Sequence, residues 1–203
     1  TSFSARSRMF DYIFSKYLSP SQTVLDFGCG AGDLIPLILK YKCTVCGVDI
    51  SNPMIEYCRS RFASNASVSL ELIDPKSPIP FKPHTFDAII SSSVLEYAES
   101  PNSFLQEIYS VLKDDGFLVV SVPCTYSPVR SIQSILRKIF APFVDIFSYL
   151  GISKNSYTFR SFSTLLRSNS MFTFDYYKLH SIPAFEHIPF IPPSLHIFVV
   201  KKT

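Results

Sequence analysis

Thr23-Val24-Leu25-Asp26-Phe27-Gly28-Cys29-Gly30-Ala31-Gly32-Asp33 decides how the rest of the chain is read. The apolar run from Thr23 to Phe27 predicts a buried strand. Three glycines follow at alternate positions, and Asp33 to Tyr41 reads as a helix. Strand, glycine turn and helix open a nucleotide-binding βαβ unit. Glycine suits that turn because the backbone must bend tightly and approach a ligand with no Cβ between. A dinucleotide fingerprint counted from Gly28 would need its third small residue at position 33, which is Asp33. The pattern here is Asp-x-Gly-x-Gly-x-Gly, with Asp26 two residues before the first glycine.

Outward from the turn, Thr44 to Asp49 predicts a second strand, adjacent and parallel to the first. Asp49 lies 23 residues beyond Asp26. An acid about 20 positions past a glycine turn is placed to accept hydrogen bonds from ribose hydroxyls, with a helix cap as the plainer role. Ser51-Asn52-Pro53 opens the next helix, capped by Ser51 or Asn52 and with Pro53 at its first position. Met54, Cys58 and Phe62 share one face of it, and Met54 is either core or a cap over a base. Val68 to Ile73 predicts a third strand, and Asp74 follows it, ahead of Pro75. Phe86 to Ser91 predicts the fourth. A helix from Ser100-Pro101 buries Leu105, Ile108, Val111 and Leu112; Lys113 to Gly116 turns; Phe117 to Val122 is the fifth strand.

From Thr23 to Pro123 the chain resembles the class I S-adenosylmethionine-dependent methyltransferases. The glycine turn is similar to their motif I. Pro80 to Asp87 resembles their "LPF…SFD" segment, Val94-Leu95-Glu96-Tyr97 their "VLEH", and Phe104 to Pro123 their helix-turn-strand. The resemblance implies an α/β fold: a Rossmann-like, doubly wound, seven-stranded, mostly parallel sheet with an antiparallel last strand and helices on both faces. It implies S-adenosylmethionine as cofactor and S-adenosylhomocysteine as product. Asp26, Gly28, Cys29, Gly30 and Gly32 would then surround the methionine portion, with backbone groups at a helix N-terminus contributing. Asp49 would hold the ribose, with Ile50 and Met54 also at the cofactor. Asp74 would read the adenine, or else serve only as a turn former. Ser91, Ser92 and Leu95 would border the methyl group. A helix before motif I covers the cofactor in many relatives, so Arg6 or Arg8 would approach the methionine carboxylate, although solvated arginines are the preferred reading.

No general base announces itself. Tyr97 stands where relatives often have His, and a phenol with a pKa near ~10 is a poor base at neutral pH. Glu96 is a candidate base, with a solvated or helix-capping role preferred. His187 is a candidate near an acceptor, with a surface-loop role preferred. Two other classes compete: a non-catalytic S-adenosylmethionine-binding partner or regulatory subunit, and a nicotinamide-dependent oxidoreductase, against which Asp33 counts.

Size and composition bound the rest. The 203 residues make one domain, 1–203, large enough for a substantial core. The net charge of +3 points away from nucleic acid and leaves a small or apolar acceptor as the expected partner. Five cysteines, with a lone Cys43-x-x-Cys46, form no zinc pattern, and no metal is expected. No signal peptide or spanning segment is seen, and a cytoplasmic location is expected. Residues 1–7 read as loose, and Arg8 to Leu18 as a helix. Residues 124–160 read as a helical insertion: a cap packed on the core, a lid over an acceptor, or, through 128–150, a peripheral membrane contact. Its amphipathic part places Ile132, Ile135, Leu136 and Ile139 on one stripe. A helix from Phe162 to Ser168, capped by Ser161 or Ser163, follows. Met171 to Lys178 and Leu195 to Lys201 are the last strands.

Overall fold

The computed structural model describes residues 2–140, 149–171, 173–180, 182 and 190–202. Among them seven strands form one sheet: β1 Thr23–Phe27, β2 Thr44–Asp49, β3 Val68–Leu72, β4 Phe86–Ser92, β5 Leu112–Pro123, β6 Phe174–Leu179 and β7 Leu195–Lys201. Their order is β3-β2-β1-β4-β5-β7-β6. β1 to β5 pair in parallel, and β7 runs antiparallel between β5 and β6. This is the doubly wound sheet expected from the sequence. Strand order reverses between β1 and β4, which opens a crevice beyond their C-terminal ends, where ligands bind in such folds.

Strand alternation sorts the core into two layers. Leu25, Phe27, Ile89 and Val120 face α4 (Pro101–Val111) and α7 (Phe159–Ser168), packing with Leu105, Ile108, Phe162 and Leu166. Val24, Ala88, Ile90 and Val119 face α1 (Ser2–Tyr17) and α2 (Ile35–Lys40) on the other side. Phe10, Ile13 and Phe14 of α1 are fully buried there. Each such burial stabilises by roughly 1.5–3 kcal/mol.

Several boundaries differ from the sequence reading. Residues 2–7 are not loose: α1 starts at Ser2, because Ala5 and Arg6 continue its sheet-facing side and find partners there. In α3 (Asn52–Arg61), Ile55 and Cys58 are the buried pair, while Met54 is 44% exposed and is not core. Ser51 occupies the cap position of α3 without a side-chain cap bond. Lys113 to Gly116 is part of β5, whose pairing with β4 shifts register between Phe86 and Ala88. The cap of α7 is Thr158 rather than Ser161 or Ser163. The helix starts at Phe159, which puts Ser161 at its third position, where it completes a capping box. Cys43 and Cys46 lie in opposite layers, as alternation requires.

The insertion holds α5 (Pro128–Phe140) and α6 (Tyr149–Ile152). Ile132 and Ile135 of α5 are exposed. Residues 141–148 lie outside the described residues, so 128–150 is described only at its two ends. No described helix is long and apolar enough to cross a membrane. Among the described residues no cluster of His, Cys, Asp and Glu is arranged to hold a metal.

Candidate active site at the sheet's switch point

The glycine turn leaves β1 at the crevice. All three glycines have positive φ, at 75° for Gly28, 54° for Gly30 and 73° for Gly32. A Cβ on Gly28 would lie 2.3 Å from Val94 Cγ2, and one on Gly32 2.7 Å from Phe62 Cε2. On Gly30 it would meet nothing within 4 Å. Gly28 and Gly32 therefore serve packing, and Gly30 presents bare backbone to open space. The turn is not a ring of free donors. Gly28 and Cys29 amides donate to Val48 O (2.8 and 2.9 Å), Gly32 N to Cys29 O (2.9 Å) and Gly30 N to Asp49 Oδ2 (2.8 Å). The expected helix N-terminus does not fall on the glycines, since α2 begins three residues after Gly32 and is only 6 residues long. What the turn offers a ligand is close approach.

Asp49 ends β2 beside the turn. Its Oδ1 accepts from Ser51 N (2.9 Å) and its Oδ2 from Gly30 N. A carboxylate has about four lone-pair sites, so roughly two stay available to hydroxyls. Ile50 and Met54, both exposed, put apolar surface next to it. Asp74 is exposed past β3 and forms a turn, accepting from Lys76 N (2.9 Å) and Ser77 Oγ (3.1 Å). Cys29 is buried behind the turn, and burial pushes its thiol pKa up.

The α1 side of the crevice carries a buried polar group that the sequence did not reveal as a unit. Asp26 is 2% exposed, and its Oδ2 has no hydrogen-bond partner among the described residues. Burial pushes its carboxyl up to about 7, with Arg6 opposing that shift and Asp49 and Asp33 adding to it. Arg6 is not solvated, contrary to the preferred reading. Its guanidinium donates to Ser92 O (3.2 Å), Ser92 Oγ and Ser93 Oγ (3.4 Å), and sits 5.9 Å from the Phe10 ring centroid. Burial lowers its pKa, against the pull of Glu96 and Asp26. Arg8, two residues on and on another side of the helix, stays exposed. Ser93 takes a φ of 61° and is held by Ser121, whose hydroxyl also meets Ser92 Oγ at 3.1 Å. Only the register of β4 with β5 makes that serine pair.

Ser91 points into the other layer, fully buried, with a hydroxyl that has no partner among the described residues. Leu95 is fully buried in that same layer. Of the three residues expected to border the methyl group, Ser92 alone reaches the Arg6 cluster.

Glu96 is not solvated either. It lies in a 3-10 turn, Leu95–Tyr97, is 3% exposed, and pairs with Arg130 Nη1 at 3.2 Å. Burial raises its pKa, and Arg130 acts against that shift. A base role would require it to give up this partner. Tyr97 is half-buried beside it. His187 lies outside the described residues. Sequence reasoning missed His196, which is 4% exposed on β7. Its Nδ1 lies 2.6 Å from Tyr176 Oη, and its Nε2 has no partner among the described residues. The strand's apolar pattern had hidden it.

A glycine turn at the switch point of a mostly parallel sheet, with Asp26 near the C-terminal end of β1 and Asp49 at that of β2, defines a nucleotide-cofactor α/β domain. Residues 25–120 match the family model of a methyltransferase domain. The chain is 36% identical over 103 residues to the uncharacterized methyltransferase YodH of Bacillus subtilis (strain 168), covering 50% of this chain and 43% of that protein. It is 30% identical over 145 residues to demethylmenaquinone methyltransferase of Symbiobacterium thermophilum, covering 68% and 57%. The chain spans about half the length of the curated relatives it matches. In fold it is similar to a SAM-dependent methyltransferase from Archaeoglobus fulgidus, with TM-score 0.68 and 17% identity over 97% of this chain and 94% of that one. Over the matched stretch 25–120 the chain is similar to the class I S-adenosylmethionine-dependent methyltransferases. The spacing argument from Asp33 against a nicotinamide cofactor agrees with that similarity.

Proposed function

We propose that this protein transfers a methyl group from S-adenosylmethionine to a small, apolar acceptor bound over the C-terminal ends of β4 and β5. The cofactor supplies a methyl group activated on a sulfonium. One observation carries the reading. At the switch point, bare backbone at Gly30, the buried Asp26 with its unpartnered oxygen and the cation of Arg6 lie together, with Asp49 alongside. An amino-acid moiety needs an acceptor for its ammonium and a donor for its carboxylate, and Asp26 and Arg6 supply that pair of charges. Asp49 keeps lone pairs for ribose hydroxyls, Ile50 and Met54 give apolar surface to a base, and Asp74 accepts from its amino edge. The protein's share of the rate is alignment of acceptor and methyl donor, which effective-molarity arguments make large.

Glu96, the acid nearest the end of β4, is paired with Arg130 rather than held free as a base. This favours an acceptor that is already acidic or carries an amine. The relative named for demethylmenaquinone supports a small-molecule acceptor. The described ends of the 124–160 insertion form the acceptor-side wall, and 1–203 works as one domain.

Calorimetry with S-adenosylhomocysteine tests the cofactor site. Asp49→Ala is expected to lose one or two charge-assisted hydrogen bonds of ~1.5–3 kcal/mol each, at least a tenfold weaker Kd. Asp49→Asn, which keeps one acceptor oxygen, falls between. Unchanged affinity in Asp49→Ala sinks the ribose assignment. Transfer of isotopically labelled methyl to any member of an acceptor panel separates the enzyme from a binding subunit, which would bind the product and transfer nothing.

A further inference from the structure

The contacts that run beyond the Glu96–Arg130 pair are not used by the reading above. Glu96 follows the end of β4 by four residues and is nearly inaccessible to water. Its carboxylate meets Arg130 Nη1 at 3.2 Å, in the first turn of α5. Arg130 Nη2 reaches on to Ser153 Oγ at 3.2 Å. The Glu96 carbonyl accepts from the amides of Lys154 (2.8 Å) and Asn155 (3.0 Å). Asn155 Nδ2 donates to Ala98 O (2.8 Å), and Lys154 Nζ pairs with Glu99 at 2.9 Å. Both described ends of the 124–160 insertion thus converge on five residues, 95–99. That point of convergence adjoins Ser92 and Ser93, where Arg6 docks.

The energetics favour a specific device over general stickiness. An exposed pair such as Lys154 with Glu99 contributes little. A carboxylate buried as deeply as Glu96 is costly to leave alone, so it holds Arg130 tightly. Arg6, Glu96 and Arg130 also alternate in sign: Arg6 interacts electrostatically with Glu96, and Glu96 with both arginines.

We propose that Glu96 is a positioning residue: through Arg130 and through its own carbonyl it clamps both ends of the 124–160 insertion onto the end of β4, and so sets the acceptor-side wall of the site. The assignment of that wall to an acceptor rests on the methyltransferase reading; the clamp itself does not.

Hydrogen–deuterium exchange, combined with calorimetry using S-adenosylhomocysteine, tests it in the full chain. In Glu96→Gln, amides of 129–137 and 152–157 are expected to exchange at least tenfold faster. Peptides from β1, β4 and β5 keep wild-type rates, and the Kd for S-adenosylhomocysteine stays within about threefold. Arg130→Met, at the more accessible end of the pair, reproduces the effect, and Arg130→Lys restores most of the protection. The double variant is no worse than either single one, as expected for one shared interaction. Unchanged exchange in both segments overturns the clamp. So does faster exchange throughout the sheet, which would make Glu96 a general stability residue. Failure of the wild type to bind S-adenosylhomocysteine would instead remove the methyltransferase reading, and the acceptor-wall assignment with it.

Discussion

At the scale of single residues, the three glycines of the turn look alike in sequence and do different work. Gly28 and Gly32 are forced by neighbours at 2.3 and 2.7 Å, and Gly30 by the space it leaves. Gly28→Ala is expected to cost ~2–5 kcal/mol, combining left-handed strain with overpacking against Val94. Gly30→Ala carries only the strain, ~1–2 kcal/mol, but weakens S-adenosylhomocysteine binding by filling the open approach. Urea unfolding and calorimetry on both variants check this; equal stability losses would contradict the packing argument. The residue types of the site were legible: Asp26, the glycines and Asp49 lie at the crevice where their spacing placed them. The surroundings of Arg6 and Glu96 were not. Burial of a charge depends on which distant residue meets it, and Ser92 and Arg130 are 86 and 34 positions away.

At the scale of elements, β1, β2 and β7 have the limits read from their apolar runs. Helix ends were harder, since a cap is chosen by local hydrogen bonding that several serines and threonines compete to make. In α7, Thr158 Oγ1 accepts from Ser161 N (3.0 Å) and Ser161 Oγ accepts from Thr158 N (3.0 Å). Thr158→Ala is expected to lose about 1 kcal/mol in denaturant unfolding, and Ser163→Ala at the rejected position distinctly less. A larger loss for Ser163 would overturn the cap. The span of β5 also takes in Lys113 to Gly116. These four lie between the paired residues Leu112 and Phe117 without a register partner on β4, and Asp115 has a φ of 63°. The turn signalled by charged residues and glycine thus persists as an irregularity within the strand.

At the scale of the whole molecule, two buried titratable groups pull pH-dependent stability in opposite directions. Burial holds His196 neutral, its pKa pushed down to about 4 from 6.5. The unfolded state therefore binds more protons between those values, and this contribution is lost as pH falls through that window. Asp26 is pushed up to about 7 from 3.8, so the folded state binds more protons there, and stability is lost as pH rises toward 7. Urea unfolding at pH 4.5 and 6.5 separates them. Asp26→Asn is expected to gain stability with rising pH more steeply than the wild type, and His196→Gln to lose stability over the same interval. Matching slopes in all three proteins would refute both assignments.

The sequence by itself determined the sheet, its glycine turn and the likeness to a methyltransferase domain. Those rest on short-range facts: the period of apolar residues, the positive φ that glycine permits, and a carboxylate at a set distance along a βαβ unit. Tertiary structure alone decided that Arg6 docks on Ser92, that Asp26 is left with an unpartnered oxygen, and that Glu96 fastens the insertion through Arg130. Those outcomes depend on strand order and register, which bring together residues far apart in the chain and set how much water each charge keeps.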